Sequence, residues 1–370
     1  MNERLAGKRV VVCAGSGGVG KTTTSAALAM GLAAAGRRVA VVTIDPAKRL
    51  ANSLGLAELD NEPRLVDPGR FAGHGIAMQG ELWAMQLDAK RTFDELIERL
   101  APDSGAREDV LGNRIYQQLS GAVAGSQEFT AVAKLYELDR SGRFDVLVLD
   151  TPPSRNALDF LDAPDRLIGF LEGRALQVFL APTGLAARLV GAGTSVVFSV
   201  LRRLTGVDLL EDLGVFFRAL GGLLEGFKER AEGVKALLSD PATTFLIVSS
   251  PEREAVEEAI FFRGKLDDHG MPFGGLVVNR VHLVDGDGEA LEALEAALGP
   301  RLAAKVARAH AEERTLAERD AAAVQRLRRE TGDDAPVVVP QLAGDVHDID
   351  GLVAVHAHLF SGDVRTADAA

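Results

Sequence analysis

One run of eight residues constrains this chain more than any other: Gly15-Ser16-Gly17-Gly18-Val19-Gly20-Lys21-Thr22 has the pattern G-x-x-x-x-G-K-[ST]. It follows Val10-Val11-Val12, an apolar β-branched run that reads as a buried strand, and leads into a helical pattern over Thr22 to Ala35 that Gly36 ends. A strand, a glycine loop and a helix in that order leave backbone amides free to wrap an anion and add the positive end of the helix dipole. Lys21 then neutralises outer phosphates, the Thr22 hydroxyl is placed to ligate magnesium, and Thr23 continues the binding segment.

The strand before the loop is one of several short aliphatic runs. The others are Val39 to Val42, Trp83 to Leu87, Val146 to Leu149, Phe245 to Val248, Leu276 to Val278 and Val337 to Val339. Continuous runs of this kind, separated by helical patterns such as Glu252 to Asp268 with Gly270 beyond, predict an α/β fold: a doubly wound, mostly parallel sheet with helices on both faces. Residues 89–142 and 162–240 break the rhythm with helical patterns and no strand, and are read as one inserted α-helical subdomain. The expected layout is a nucleotide-binding domain from 1–88, 143–161 and 241–362, the helical insertion, and a disordered tail over 363–370.

Two carboxylates fall at ends of these strands, where doubly wound sheets bind ligands. Asp150 closes Val146-Leu147-Val148-Leu149 and can hold magnesium, with the turn Thr151-Pro152-Pro153-Ser154 sensing the last phosphate; capping of the next helix is the alternative role. Asp45, in Thr43-Ile44-Asp45-Pro46-Ala47, can orient or deprotonate an attacking water.

With these pieces in place, the sequence resembles the arsenite-pump and tail-anchored-protein-targeting ATPases, within the MinD-like and ParA-like dimeric ATPases. Gly17 to Thr23 is similar to that family's phosphate loop, Asp45-Pro46-Ala47 to its first switch and Asp150-Thr151-Pro152-Pro153 to its second. Val277-Val278-Asn279-Arg280 is similar to the strand end whose asparagine reads adenine, and Pro340-Gln341-Leu342-Ala343-Gly344-Asp345 to the loop that closes over the base. The resemblance implies ATP and Mg2+ as ligands, Asp45 and Lys21 as catalytic groups, Thr22 and Asp150 at the metal, and Asn279, Pro340 and Gln341 around the base. It further implies a nucleotide-closed homodimer whose helical subdomain offers an apolar groove to a hydrophobic protein client. Residues 162–240 are apolar enough for such a groove, although apolar helical stripes also serve simply as core.

Three departures qualify that picture. The dimeric class carries a lysine just before the paired glycines, reaching the partner's nucleotide, and here Ser16 stands there. Cys13 is the single cysteine, so the family's zinc clasp and its arsenite-binding thiols have no counterpart, and arsenite pumping is not expected. Methionines number five, with none over 89–240, so Leu, Phe and Val would line the groove.

Composition bounds the rest. Forty-one basic against fifty-three acidic residues give a net charge of -12, which argues against nucleic-acid binding and against an anionic membrane surface. No transmembrane segment or signal peptide is read from the sequence, and with one thiol in 370 residues the cytoplasm is the expected compartment. The seven histidines show no metal-ligand spacing. The leading expectation is therefore an ATPase switch acting on a hydrophobic client. Next comes a weakly hydrolysing scaffold that forms a heteromer with a lysine-bearing relative, and last a MinD-like or ParA-like positioning ATPase.

Overall fold

All five residues of β1 (Val10–Ala14) are buried, as are all of Val146–Asp150 and Thr243–Ser249, so these strands meet protein on both faces. The computed structural model describes residues 1–45, 47–113, 116–117, 126–151, 169, 221–284, 291–342, 344, 346 and 348–360. The chain divides into two units, Met1–Gln86 with Gly142–Ala157 and Ser239–Ala370, and Leu87–Ser141 with Leu158–Leu238.

The first unit is built on eight strands: β1, β2 (Arg38–Thr43), β3 (Arg64–Leu65), β4 (Glu81–Gln86), β5 (Val146–Asp150), β6 (Thr243–Ser249), β7 (Phe273–Val281) and β8 (Val337–Pro340). They lie in the order β3-β4-β2-β5-β1-β6-β7-β8. Every pairing is parallel except β3 with β4, so the fold is the expected α/β, mostly parallel sheet. The period of two decides which helix each residue meets. Val11, Cys13, Val39, Val41, Val148 and Leu246 face a cluster shared with α1 (Lys21–Ala34), α2 (Arg49–Ser53) and α11 (Ile349–Phe360). Phe245 instead packs on Phe262 of α8 (Arg253–Asp268), ring centroids 6.5 Å apart.

Helix α1 is rich in Ala and carries Gly31 where another helix lies close against it. A Cβ on Gly31 would fall 2.2 Å from the Phe360 ring of α11, so only glycine permits this approach. Two elements differ from what patterning suggests. The two-residue β3 is too short to register as a strand. Helix α10 (Pro300–Thr331), 32 residues with Pro at its start and left-handed Gly332 at its end, buries only Ala303, Asp320, Val324, Leu327 and Thr331. A short α3 (Gly69–Ala72) and α9 (Leu291–Leu298) also belong to the described part of the unit.

The described part of the second unit is helical: α4 (Ala89–Leu100), α5 (Ser104–Leu111), α6 (Ser126–Arg140) and α7 (Leu224–Ser239). Asp88 and Asp103 cap α4 and α5 by accepting from the Arg91 and Ala106 amides. Phe93 stacks between Tyr116 and Phe227, and buried Lys134 sits between Glu95 and Glu137 at 3.4 Å from each. The expected groove of 162–240 falls mostly outside the described residues, as do Pro46, the turn 152–154, Ala343, Asp345 and the tail 363–370. Among the described residues no helix is long and apolar enough to cross a membrane.

Candidate functional site

The sheet register brings three strand ends together. Asp150, the last residue of β5, lies level with Cys13 of β1 on one side and Thr43 of β2 on the other. The glycine loop leaves β1 at this level and re-enters α1 through Gly20, which caps the helix at φ 93, ψ 27. That left-handed backbone demands glycine, and a Cβ there would also strike Asn279 Nδ2 at 2.3 Å. Gly15 and Gly18 share positive φ, at 150° and 82°.

Four groups then converge. The Thr22 hydroxyl donates to Asp150 Oδ2 at 2.7 Å, and the Thr43 hydroxyl donates to the same oxygen at 2.8 Å. Thr43 Oγ1 also accepts from the Asp45 amide at 3.2 Å, linking the two carboxylate-bearing strand ends. Asp150 Oδ1 is buried with no hydrogen-bond partner. Burial lifts this carboxyl to about 6 against the opposing pull of both hydroxyls and Lys21. Lys21 is only 6% exposed, its Nζ donates to the Ser16 carbonyl at 2.7 Å, and desolvation lowers its pKa while Asp150 opposes the shift.

A bare buried carboxylate oxygen beside a hydroxyl suits a hard divalent cation that takes its other ligands from phosphates and water. Thr22 and Asp150 would hold Mg2+ here, and the ion would neutralise phosphate charge.

A cavity of 470 Å³ opens over this corner. Gly18, Gly20, Lys21, Thr22, Thr23, Asp45, Arg49 and Thr151 line it, together with Asn279, Arg280, Pro340, Gln341 and Leu342. The expected site residues Gly15, Ser16, Gly17 and Val19 do not line it; Val19 is buried in the core and Ser16 contributes its carbonyl to Lys21. Asn279 is held by the loop itself, with Nδ2 donating to the Val19 carbonyl at 2.9 Å and Oδ1 accepting from the Arg280 amide at 2.9 Å. Arg280 is the one non-glycine residue with positive φ among those described, at 61°.

Thr43 and Arg49 were not singled out in the sequence. Thr43 is signalled only by its position at the strand end beside Asp45, and Arg49 by the Lys48-Arg49 pair after the first switch. Cys13 lies behind the loop in the core, and burial pushes its thiol up to about 12.

The raised Asp150 carboxyl makes a pH prediction. Its folded pKa of about 6 exceeds the ordinary carboxyl value of 3.8, so the folded chain binds the proton more tightly than the unfolded one, and stability falls as pH rises through that window. Asp150→Asn abolishes this slope. Its stability relative to the parent should improve by about 2–3 kcal/mol between about pH 4 and about pH 8 without nucleotide. Urea melts across that range measure the difference, and parallel curves for the two proteins would contradict the assignment.

Residues 8–299 match the family model described as anion-transporting ATPase. A provisionally assigned arsenical pump-driving ATPase of Aquifex aeolicus is 29% identical over 259 residues, 68% of this chain and 58% of that protein. ATPase GET3 of Malassezia globosa is 26% identical over 274 residues, 73% of this chain and 72% of its own. ATPase ARSA1 of Chlamydomonas reinhardtii is 29% identical over 296 residues, 74% of this chain and 35% of its own. The chain thus spans a little over half the length of the Aquifex relative.

Proposed function

Because the chain belongs to the anion-transporting ATPase family, we propose that it binds ATP with Mg2+ in the cavity over β1, β2 and β5 and hydrolyses it as a dimeric switch. The observation that carries this is Asp150 Oδ1, buried and unpartnered beside the Thr22 hydroxyl. A buried carboxylate oxygen left bare costs free energy unless a ligand completes it. Lys21 and the loop amides bind the phosphates, and Asn279, Pro340 and Gln341, which line the same cavity, receive the base. Asp45 orients the attacking water and takes its proton as the new P–O bond forms and ADP leaves.

The nucleotide state, on this reading, governs a helical surface that takes a hydrophobic protein client, in the cytoplasm, as the resemblance to the targeting ATPases implies. Arsenite is not its cargo: the lone cysteine is buried and its thiol stays protonated. Ser16 favours a second reading, in which the chain hydrolyses slowly alone and forms a heteromer with a lysine-bearing relative.

Phosphate release and light-scattering mass, each with and without Mg2+ and ATP, test these readings. Magnesium-dependent turnover with an ATP-induced rise to dimer mass supports the switch; binding without turnover or dimer formation supports the scaffold. Absence of ATP binding with magnesium would remove both.

A further inference from the structure

Asp45, assigned above to the attacking water, has both carboxylate oxygens engaged. Oδ1 accepts from the Ala47 amide at 2.9 Å, and Oδ2 meets Arg49 Nη1 at 3.3 Å. The two partners differ sharply: the Asp45 side chain is 12% exposed and that of Arg49, the first residue of α2, is 64% exposed. Arg49 also lines the nucleotide cavity. It stands at the phosphate end, because its partner Asp45 is bonded through Thr43 to Asp150 and so to Thr22.

A long single contact from a mostly exposed arginine is a weak ion pair. A phosphate offers the same guanidinium a doubly charged, geometrically matched acceptor for two parallel hydrogen bonds. The loop meanwhile lacks a cation at Ser16. We propose that Arg49 is a sensor of the terminal phosphate. Without nucleotide, or with ADP, it rests on Asp45. When a triphosphate enters, Arg49 moves to the γ-phosphate and releases Asp45 Oδ2 toward the water. A single side chain thereby couples recognition of the third phosphate to freeing of the general base, and supplies within one chain a positive charge on the phosphates. The inference rests on the nucleotide-binding reading above.

The test is calorimetric affinity for Mg·ADP and for a non-hydrolysable Mg·ATP analogue on the parent, Arg49→Ala, Arg49→Lys and Asp45→Asn. Arg49→Ala should weaken the triphosphate analogue by at least about tenfold while ADP stays within about twofold, the size of one lost charge-assisted contact. Retained ADP binding reports that the fold is intact. Arg49→Lys should recover part of the difference, and Asp45→Asn, which removes the competing acceptor, should tighten the triphosphate analogue in a way that is lost in the double variant Asp45→Asn/Arg49→Ala. Equal weakening of both nucleotides, or no change in either, overturns the sensor role while leaving the nucleotide site standing. A parent that binds neither nucleotide overturns the site and the sensor together.

Discussion

Lys21→Ala abolishes the stabilisation that ATP and Mg2+ give the folded chain, while leaving the nucleotide-free protein as stable as the parent. Lys21 is the first residue of α1, nearly buried, and its ammonium has the Ser16 carbonyl as its partner. Desolvation already penalises that charge. Removing it therefore costs the fold little, and alanine is the best helix former for the position. With nucleotide bound the balance reverses: the ammonium faces phosphate oxygens in a half-enclosed cavity, where charge-assisted hydrogen bonds are worth roughly 1.5–3 kcal/mol each. The expected loss is at least about a hundredfold in affinity. In a thermal melt the parent gains about 2.7 kcal/mol at a nucleotide concentration of roughly 100 times Kd, and the variant gains almost nothing. A variant that melts as high as the parent in saturating ATP would show that the loop does not bind phosphates through Lys21.

The phosphate loop was readable because each of its demands is local: Gly20 must take φ 93 and Lys21 must open a helix directly after a strand. The sheet was readable for a similar reason, since strands buried on both faces become uninterrupted aliphatic runs such as Val146 to Leu149. Thr43 was not readable, because its role depends on which strands become neighbours. Thr43 matters only once β2 lies beside β5 in the register that sets it level with Asp150. Arg49 lies only four residues beyond Asp45, and what the pattern does not announce is that its side chain both meets that carboxylate and lines the cavity. Patterning fails differently at α10, whose mostly exposed first half buries only Ala303 and carries i,i+4 pairs such as Arg308 with Glu312, so its apolar stripe is weak. Asn279 is legible as a polar residue closing an aliphatic strand, but its grip on the Val19 carbonyl, which ties β7 to the loop, is a contact across 260 residues that no local pattern encodes.

Ser16→Lys is the substitution expected to gain activity. Ser16 precedes the paired glycines, has no positive φ, and is partly exposed, so a long side chain fits there without backbone strain. Its structural contribution is the main-chain carbonyl that accepts from Lys21, and the substitution leaves that carbonyl in place. What changes is reach: a hydroxyl bonds within its own loop, whereas an ammonium on a four-carbon stem can cross to a phosphate on a facing chain. Cations supplied in trans at phosphoryl transfer are worth about 10³–10⁵ in rate where the rest of the site is assembled. Arg49 already places one positive charge in the cavity, so the gain here should lie toward the lower end, at least about tenfold in single-turnover hydrolysis with a larger dimer fraction in ATP. Mixing the parent with a lysine-bearing relative should produce the same two effects without any substitution. If the parent alone already turns over rapidly as a tight ATP-dependent dimer, and neither Ser16→Lys nor mixing changes its rate or mass, the charge is complete within two copies of this chain. Arg49 then becomes the residue to which that charge must be traced, and the heteromer reading falls.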